Sequence, residues 1–166
     1  MKKVGKMLPG LLARDWKPGR AAFAGLIATL IYSIAMESDK FLIGNRFSDV
    51  RFLEGMLAGE KRSKRINALA WLLHFLNGVA LAELYAAVVK RFLPGPAWLR
   101  GTIFGEAFVF VIWWITPLAD KYHPLIRNGE MPHLFRWRSF WQNMLRHASY
   151  GLALGFLYPN SDKRGK

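Results

Sequence analysis

The chain contains no cysteine among its 166 residues. That excludes a disulfide framework, a thiolate metal site and a thiol nucleophile. Acidic residues are also scarce, with 11 Asp and Glu against 24 Lys and Arg and a formal net charge of +13. In a soluble protein such an excess points to nucleic acid. Here the basic residues flank long uncharged stretches, which favours anionic lipid headgroups and control of membrane orientation instead. The sequence has no Walker loop, no G-x-G-x-x-G turn, no G-x-S-x-G elbow and no H-E-x-x-H pair. Its serines have no neighbouring base. His123 and His133 lack metal-ligand spacing and read as solvated loop residues. No enzyme is expected.

What the chain does have is apolar length. A helix needs about 20 mostly apolar residues to cross a bilayer, and four stretches qualify: 20–38, 66–89, 97–118 and 140–158. Ala22 to Met36 and Ala107 to Leu118 carry no charge on any face, whereas a soluble bundle would show polar faces at the 3.6-residue period. The expected fold is all-α, an integral membrane four-helix bundle over residues 20–158. Residues 1–19 form a basic tail, with Met7, Leu8, Leu11, Leu12 and Trp16 dipping toward lipid. Pro9 and Pro18 break this tail, which argues against a cleaved signal segment. Residues 159–166 form a basic C-terminal tail.

The bundle reads as two tandem copies of one helix pair. His74 begins H-F-L-N-G-V-A-L-A-E-L-Y and His147 begins H-A-S-Y-G-L-A-L-G-F-L-Y. His, Gly, Ala, two Leu and the final Tyr coincide without a gap. The first helices match more loosely, Arg20 and Gly25 with Arg100 and Gly105, then Asp39-Lys40 with Asp120-Lys121. Two helices per unit give both copies the same orientation, a parallel repeat about an axis along the membrane normal.

Small residues recur at four-residue spacing in each span. Gly25, Gly78, Gly105, Gly151 and Gly155 are the expected packing positions, because helices in lipid adhere through close van der Waals contact. Trp71, Trp98, Trp137 and Trp141, with Tyr85 and Tyr158, fall near span ends as an interfacial aromatic belt requires. The first twenty residues, the short loop 90–100 and the C-terminal tail carry 12 Lys/Arg in about 40 residues, against 11 in roughly 50 residues of the two longer loops. That density puts both termini on the cytoplasmic side. Between the first two spans, residues 41–60 hold Val50, Phe52, Leu53, Met56 and Leu57 among charges and predict a short interfacial helix after Asp49. Pro124, Pro132 and Asn128-Gly129 predict an irregular loop over 119–139. Pro117 is read as the end of the third span.

Four residues carry candidate chemistry. His74 and His147 occupy equivalent positions in the repeat and should lie at one depth. Two neutral imidazoles so placed would suit axial ligation of a haem iron or a chlorin magnesium. The alternative is that each locks helix packing by hydrogen bonding to Ser33, Glu37 or Asn77. Glu83 and Glu106 lie inside the second and third spans at similar depth, where an ionised carboxylate costs roughly 2.5–3.5 kcal/mol on insertion scales. They suit a shared proton or cation site, or else pair with Arg100 or Lys90. Glu37, Ser38 and Asp39 end the first span, where negative charge opposes the helix dipole. That group points to a partner, with Arg146 the candidate.

On the motifs A-G-L-I-A-T (Ala24–Thr29), L-L-H-F-L-N-G (Leu72–Gly78), P-A-W-L-R-G-x-x-F-G (Pro96–Gly105) and R-H-A-S-Y-G-L-A-L-G-F-L-Y (Arg146–Tyr158), the chain resembles a family of short four-helix bacterial membrane proteins classed as a domain of unknown function. The resemblance implies four helices in a bacterial cytoplasmic membrane and no activity. The cluster Lys61-Arg62-Ser63-Lys64-Arg65 departs from that family's compact apolar pattern. Three functional readings follow. The first is a non-enzymatic structural or accessory protein, as a subunit of a larger membrane complex. The second is a haem or chlorin binder using His74 and His147. The third is a proton-coupled carrier of small solutes using Glu83 and Glu106.

Overall fold

The computed structural model describes residues 12–159 except Arg14. Most of the basic tail expected over 1–19, including Met7, Leu8 and Leu11, and nearly all of the tail 159–166 lie outside the described residues. Among the described residues there are helices and no strands. The α-helices are α1 (Pro18–Leu42), α2 (Asp49–Ala58), α3 (Lys64–Leu84), α4 (Ala97–Trp113), α5 (Thr116–Tyr122), α6 (Pro124–Arg127) and α7 (Trp137–Leu157). Helix α3 runs on through a π-helical turn, Tyr85–Val89, and a 3-10 turn, Lys90–Phe92.

Local chemistry sets most of these boundaries. Proline lies in the first turn of α1, α5 and α6, where its missing N–H has no helical partner to lose. The hydroxyls of Ser48 and Ser63 cap α2 and α3, accepting from Arg51 N at 3.4 Å and Ile66 N at 3.1 Å. Gly59 closes α2 at φ +63°, a conformation that favours glycine. The stretch expected as one helix over 97–118 is instead α4 and α5, bent by 50°. The proline ring of Pro117 clashes with the carbonyl four residues back, which belongs to Trp113, the last residue of α4. Pro117 therefore breaks the helix one turn earlier than expected and starts the next one.

Two helices, Pro18–Leu42 and Lys64–Phe92, are long and apolar enough to cross a membrane, and a third span exists if α4 and α5 count as one. Helix α7 is 21 residues long but is not among them. It carries Arg138, Gln142, Asn143 and Arg146 in its first half.

Helix α1 packs against α3 and α7, and α4 packs against α7. The contacts run through small residues. A methyl placed on Gly25 would lie 2.7 Å from Ala82 Cβ and 3.0 Å from Val79 Cα across the α1–α3 seam. Across the α4–α7 seam, a methyl on Gly101 would lie 2.7 Å from Gly155 N, and one on Gly151 would lie 2.9 Å from Thr102 Cα. Gly105 meets the backbone of His147, Gly155 that of Ala97 and Trp98, and Gly78 meets Thr29. Tyr150, buried on α7, donates its hydroxyl to Gly78 O at 2.6 Å and so ties α7 to α3.

The two longer loops form one cap. Helix α2 packs on α3 and α6, and Phe47, Leu125, Ile126, Met131 and Leu134 form an apolar cluster there. Arg51 on α2 bonds Glu130 in the second loop at 2.6 Å. Asp120 accepts from Leu134 N at 2.6 Å and Phe135 N at 3.0 Å. Residues 119–139 are thus partly helical and tied down, where irregularity was expected. At the opposite end Ala13 N donates to Ala87 O at 2.7 Å, inside the π-helical turn, and Lys17 N donates to the Tyr158 hydroxyl at 2.9 Å.

Because Gly151 meets backbone, nothing in its path can rotate away. Gly151→Leu is expected to lower the stability of the detergent-solubilised protein by about 1–3 kcal/mol. Gly19→Ala, with nothing within 4 Å of the new methyl, should change it by under about 0.5 kcal/mol. Thermal unfolding of the two variants side by side checks this.

Candidate functional site

The structure's main polar feature lies where α1 ends against α7. Asp39, in the last turn of α1, is 2% exposed, and Arg146 on α7 is fully buried at 0%. They form a bidentate pair, Arg146 Nε to Asp39 Oδ2 at 2.5 Å and Nη2 to Oδ1 at 2.6 Å. Such a fork matches guanidinium and carboxylate geometry. Arg146 also donates to Phe47 O at 3.0 Å and to Asp49 Oδ2 at 3.3 Å, and its Cζ lies 5.3 Å from the Phe47 ring centroid. One helical turn earlier, Gln142 Nε2 donates to Asp39 Oδ1 at 2.6 Å and Asn45 O at 3.0 Å. Asn45 Nδ2 returns a bond to Gln142 Oε1 at 2.7 Å and another to Ser139 Oγ at 3.1 Å. Asp49 further accepts from the Tyr32 hydroxyl at 2.8 Å.

This cluster explains a placement that local rules disfavour. A carboxylate at a helix C-terminus faces the negative end of the dipole, and Arg146 supplies the compensating charge. Burying a guanidinium is costly unless its N–H groups are filled, and the loop 43–48 wraps back to fill them. Of this network, the sequence reading named Asp39 and Arg146 and missed Gln142, Asn45, Ser139 and Tyr32. A signal existed in Ser139, Gln142 and Arg146, which recur at three- and four-residue spacing and so share one face of α7.

Both candidate histidines touch Tyr32. The His74 ring centroid lies 5.5 Å from that of Tyr32, and His147 lies 4.9 Å away, edge-on at 86°. His74 is buried, with Nε2 3.1 Å from Ser33 Oγ. The Ser33 hydroxyl itself donates to Thr29 O at 2.7 Å, so the proton of the His74–Ser33 bond sits on Nε2. His147 Nδ1 lies 3.0 Å from Asn143 O; a carbonyl only accepts, so Nδ1 carries the proton there. His147 also stacks on Phe108 at 5.6 Å.

Glu83 and Glu106 have different surroundings. Glu83 Oε2 accepts from Trp16 Nε1 at 2.7 Å, while Glu106 Oε2 is buried without a hydrogen-bond partner among the described residues. Trp16, expected to dip toward lipid, packs against the helix core instead. Lys90, one proposed partner for these acids, pairs with Asp15 at 2.6 Å and lies over the Tyr158 ring. No group of three or more His, Asp and Glu among the described residues is arranged to hold a metal ion.

His123 corrects the solvated reading. It is 2% exposed, its Nε2 lies 2.9 Å from Phe52 O, and its ring stacks on Phe52 at 4.2 Å. Burial holds its imidazole below the usual histidine pKa. It packs onto Gly55, where no side chain stands in its way. His133 is exposed, with Asp120 3.6 Å away.

No curated protein and no solved structure matches the chain. The family model described as a family of unknown function, DUF6789, matches residues 17–165, and the chain belongs to that family.

Proposed function

We propose that the chain is a multi-pass protein of the bacterial cytoplasmic membrane, crossing it four times through α1, α3, α4 with α5, and α7. Its role on this reading is structural or accessory, as a non-enzymatic subunit of a larger membrane complex, with both termini cytoplasmic. The observation that carries the membrane reading is the orientation of α7. Its buried residues include Ser139, Gln142 and Arg146, whereas Trp141, Leu145 and Phe156 are exposed. A helix in water buries its apolar face; one that turns polar groups inward and apolar groups outward suits a lipid surround. Average hydropathy undervalues such a helix because its polar residues are satisfied inside. A methyl on Gly25 would lie 3.1 Å from Gly78 O and one on Gly105 would lie 3.5 Å from Gly151 Cα, and these contacts between positions equivalent in the repeat support the duplicated helix pair.

The structural role is supported by how the interior polar groups are used. Asp39, Arg146, Gln142 and Asn45 bond one another, which leaves a closed lock rather than a site awaiting a ligand. The ring of Tyr32 contacts both imidazoles, in the position a macrocycle between them would need.

The missing cysteine makes topology directly testable. An impermeant maleimide applied to intact cells is expected to label Asn128→Cys but to label Ser161→Cys only after permeabilisation. Labelling of both positions from one side overturns the four-span reading. For the role, the purified protein is expected to show no Soret-region band, and His74→Phe with His147→Phe should lower the melting temperature without spectral change. A Soret band abolished by either substitution would transfer the assignment to haem or chlorin binding.

A further inference from the structure

Helix α2 packs on α6 in the cap, and the His123 ring stands between them. His123 ends α5 and begins α6. Its amide donates to Ala119 O at 2.8 Å, and its carbonyl accepts from Ile126 N at 3.2 Å and Arg127 N at 3.1 Å. A methyl on Gly55 would lie 2.7 Å from its Nε2, so the ring lies directly on the backbone of α2. Any movement of this imidazole therefore moves α2 against α6.

The two ring nitrogens are treated differently. The Phe52 carbonyl can only accept, so Nε2 carries the proton of their 2.9 Å bond. Nδ1 is buried and has no hydrogen-bond partner among the described residues. In the neutral ring it is a lone pair. In an imidazolium both nitrogens are donors, and a proton on Nδ1 would create an unfilled N–H and a charge away from water.

The charged groups around the joint are engaged elsewhere or oppose that proton. On α2, Asp49 bonds Tyr32 and Arg146, and Glu54 bonds Arg51 and Asn67. Arg51 itself disfavours a second cation at His123. Glu130 takes Arg51 and Arg62, Asp120 takes the amides of Leu134 and Phe135 beside His133, and Lys121 lies over the Tyr122 ring. Glu60 and Arg127 line a cleft on the far side of Pro124. Burial lowers the affinity of His123 for a proton, the Phe52 bond raises it, and the Arg51 charge lowers it again, leaving the ring below its ordinary value of 6.5. An opened cap therefore binds more protons than a closed one once the pH falls below 6.5, so the closed cap is fully stable above that value and weakens beneath it. Glu54 and Glu130 are held below the usual carboxylate range and titrate in a more acidic window.

We propose that the α2–α6 joint is an acid-sensitive hinge, in which protonation of His123 at Nδ1 releases α2 and uncovers the apolar cluster of Leu125, Ile126 and Met131. The glycine seam between α4 and α7 stays closed. The hinge does not depend on the membrane reading. With both termini cytoplasmic, the cap would face the medium, whose pH varies most.

The test is hydrogen exchange of the full chain in mild detergent, expressed as protection factors so that the intrinsic pH dependence of exchange cancels. Between about pH 7.5 and 5.5, protection of α2 is expected to fall several-fold, within the limit of about tenfold per pH unit that one proton sets. Protection of α4 should stay level. His123→Gln keeps a donor toward Phe52 O and His123→Phe keeps the stacked ring, and both should flatten the α2 profile. A histidine titration by NMR on the unmutated chain, which needs no variant to fold, should place His123 below 6.5. Protection of α2 that ignores pH, an equal fall in α4, or an unchanged fall in both variants overturns the hinge. So does a His123 that titrates at or above its ordinary value.

Discussion

A guanidinium with no exposure to solvent is the constraint on which the rest of the structure turns. Arg146 sits on a helix that meets α4 through glycines and carries Gln142 and Ser139 toward the same buried network. It has five N–H groups to satisfy, and a buried charge left unpaired costs several kcal/mol. Asp39 meets the charge, and the Phe47 carbonyl and Asp49 take further bonds. Because Asp39 closes α1, Phe47 belongs to the following loop and Asp49 opens α2, one side chain sets the order of three consecutive pieces of chain. Tyr32 then reaches Asp49, which brings its ring against both histidines.

The other half of the adhesion has a different physical origin. The glycines of α4 and α7 meet backbone to backbone, so dispersion contacts and tight geometry hold that seam, without any charge. The α1–α7 seam carries the ionic lock, and the α1–α3 seam combines small residues with the Ser33–His74 bond. Packing fixes distance between helices, while the directional polar network fixes how far each has slid along its neighbour. The two kinds of contact are therefore complementary.

Much of this was legible in the residues. Long uncharged runs marked the helices, and four-residue spacing of small residues marked the seams now occupied by Gly25, Gly105 and Gly151. The two histidines singled out in the sequence, His74 and His147, both meet Tyr32. The acidic end of the first helix, Glu37 to Asp39, called for a partner such as Arg146, and the structure gives that partner to Asp39 and Lys40 to Glu37. What escaped notice depends on long-range return of the chain. Asn45 and Gln142 are ordinary polar residues until the loop 43–48 folds back. His123 looks like a loop residue until Gly55 and Phe52 of a distant helix cover it. Trp16 looks like a lipid anchor until Glu83 is found beside it. Pro117 was read with the right sign and the wrong position, because its effect falls on the residue four places earlier.

The central claim is that Asp39 and Arg146 form one coupled unit holding α1 to α7. A double-mutant cycle on the detergent-solubilised protein, comparing Asp39→Asn, Arg146→Gln and the double variant, measures that coupling directly. The account predicts a coupling energy of about 2 kcal/mol or more, with the double variant far less destabilised than the sum of the single ones. Additive single effects, agreeing within about 0.5 kcal/mol, would contradict it.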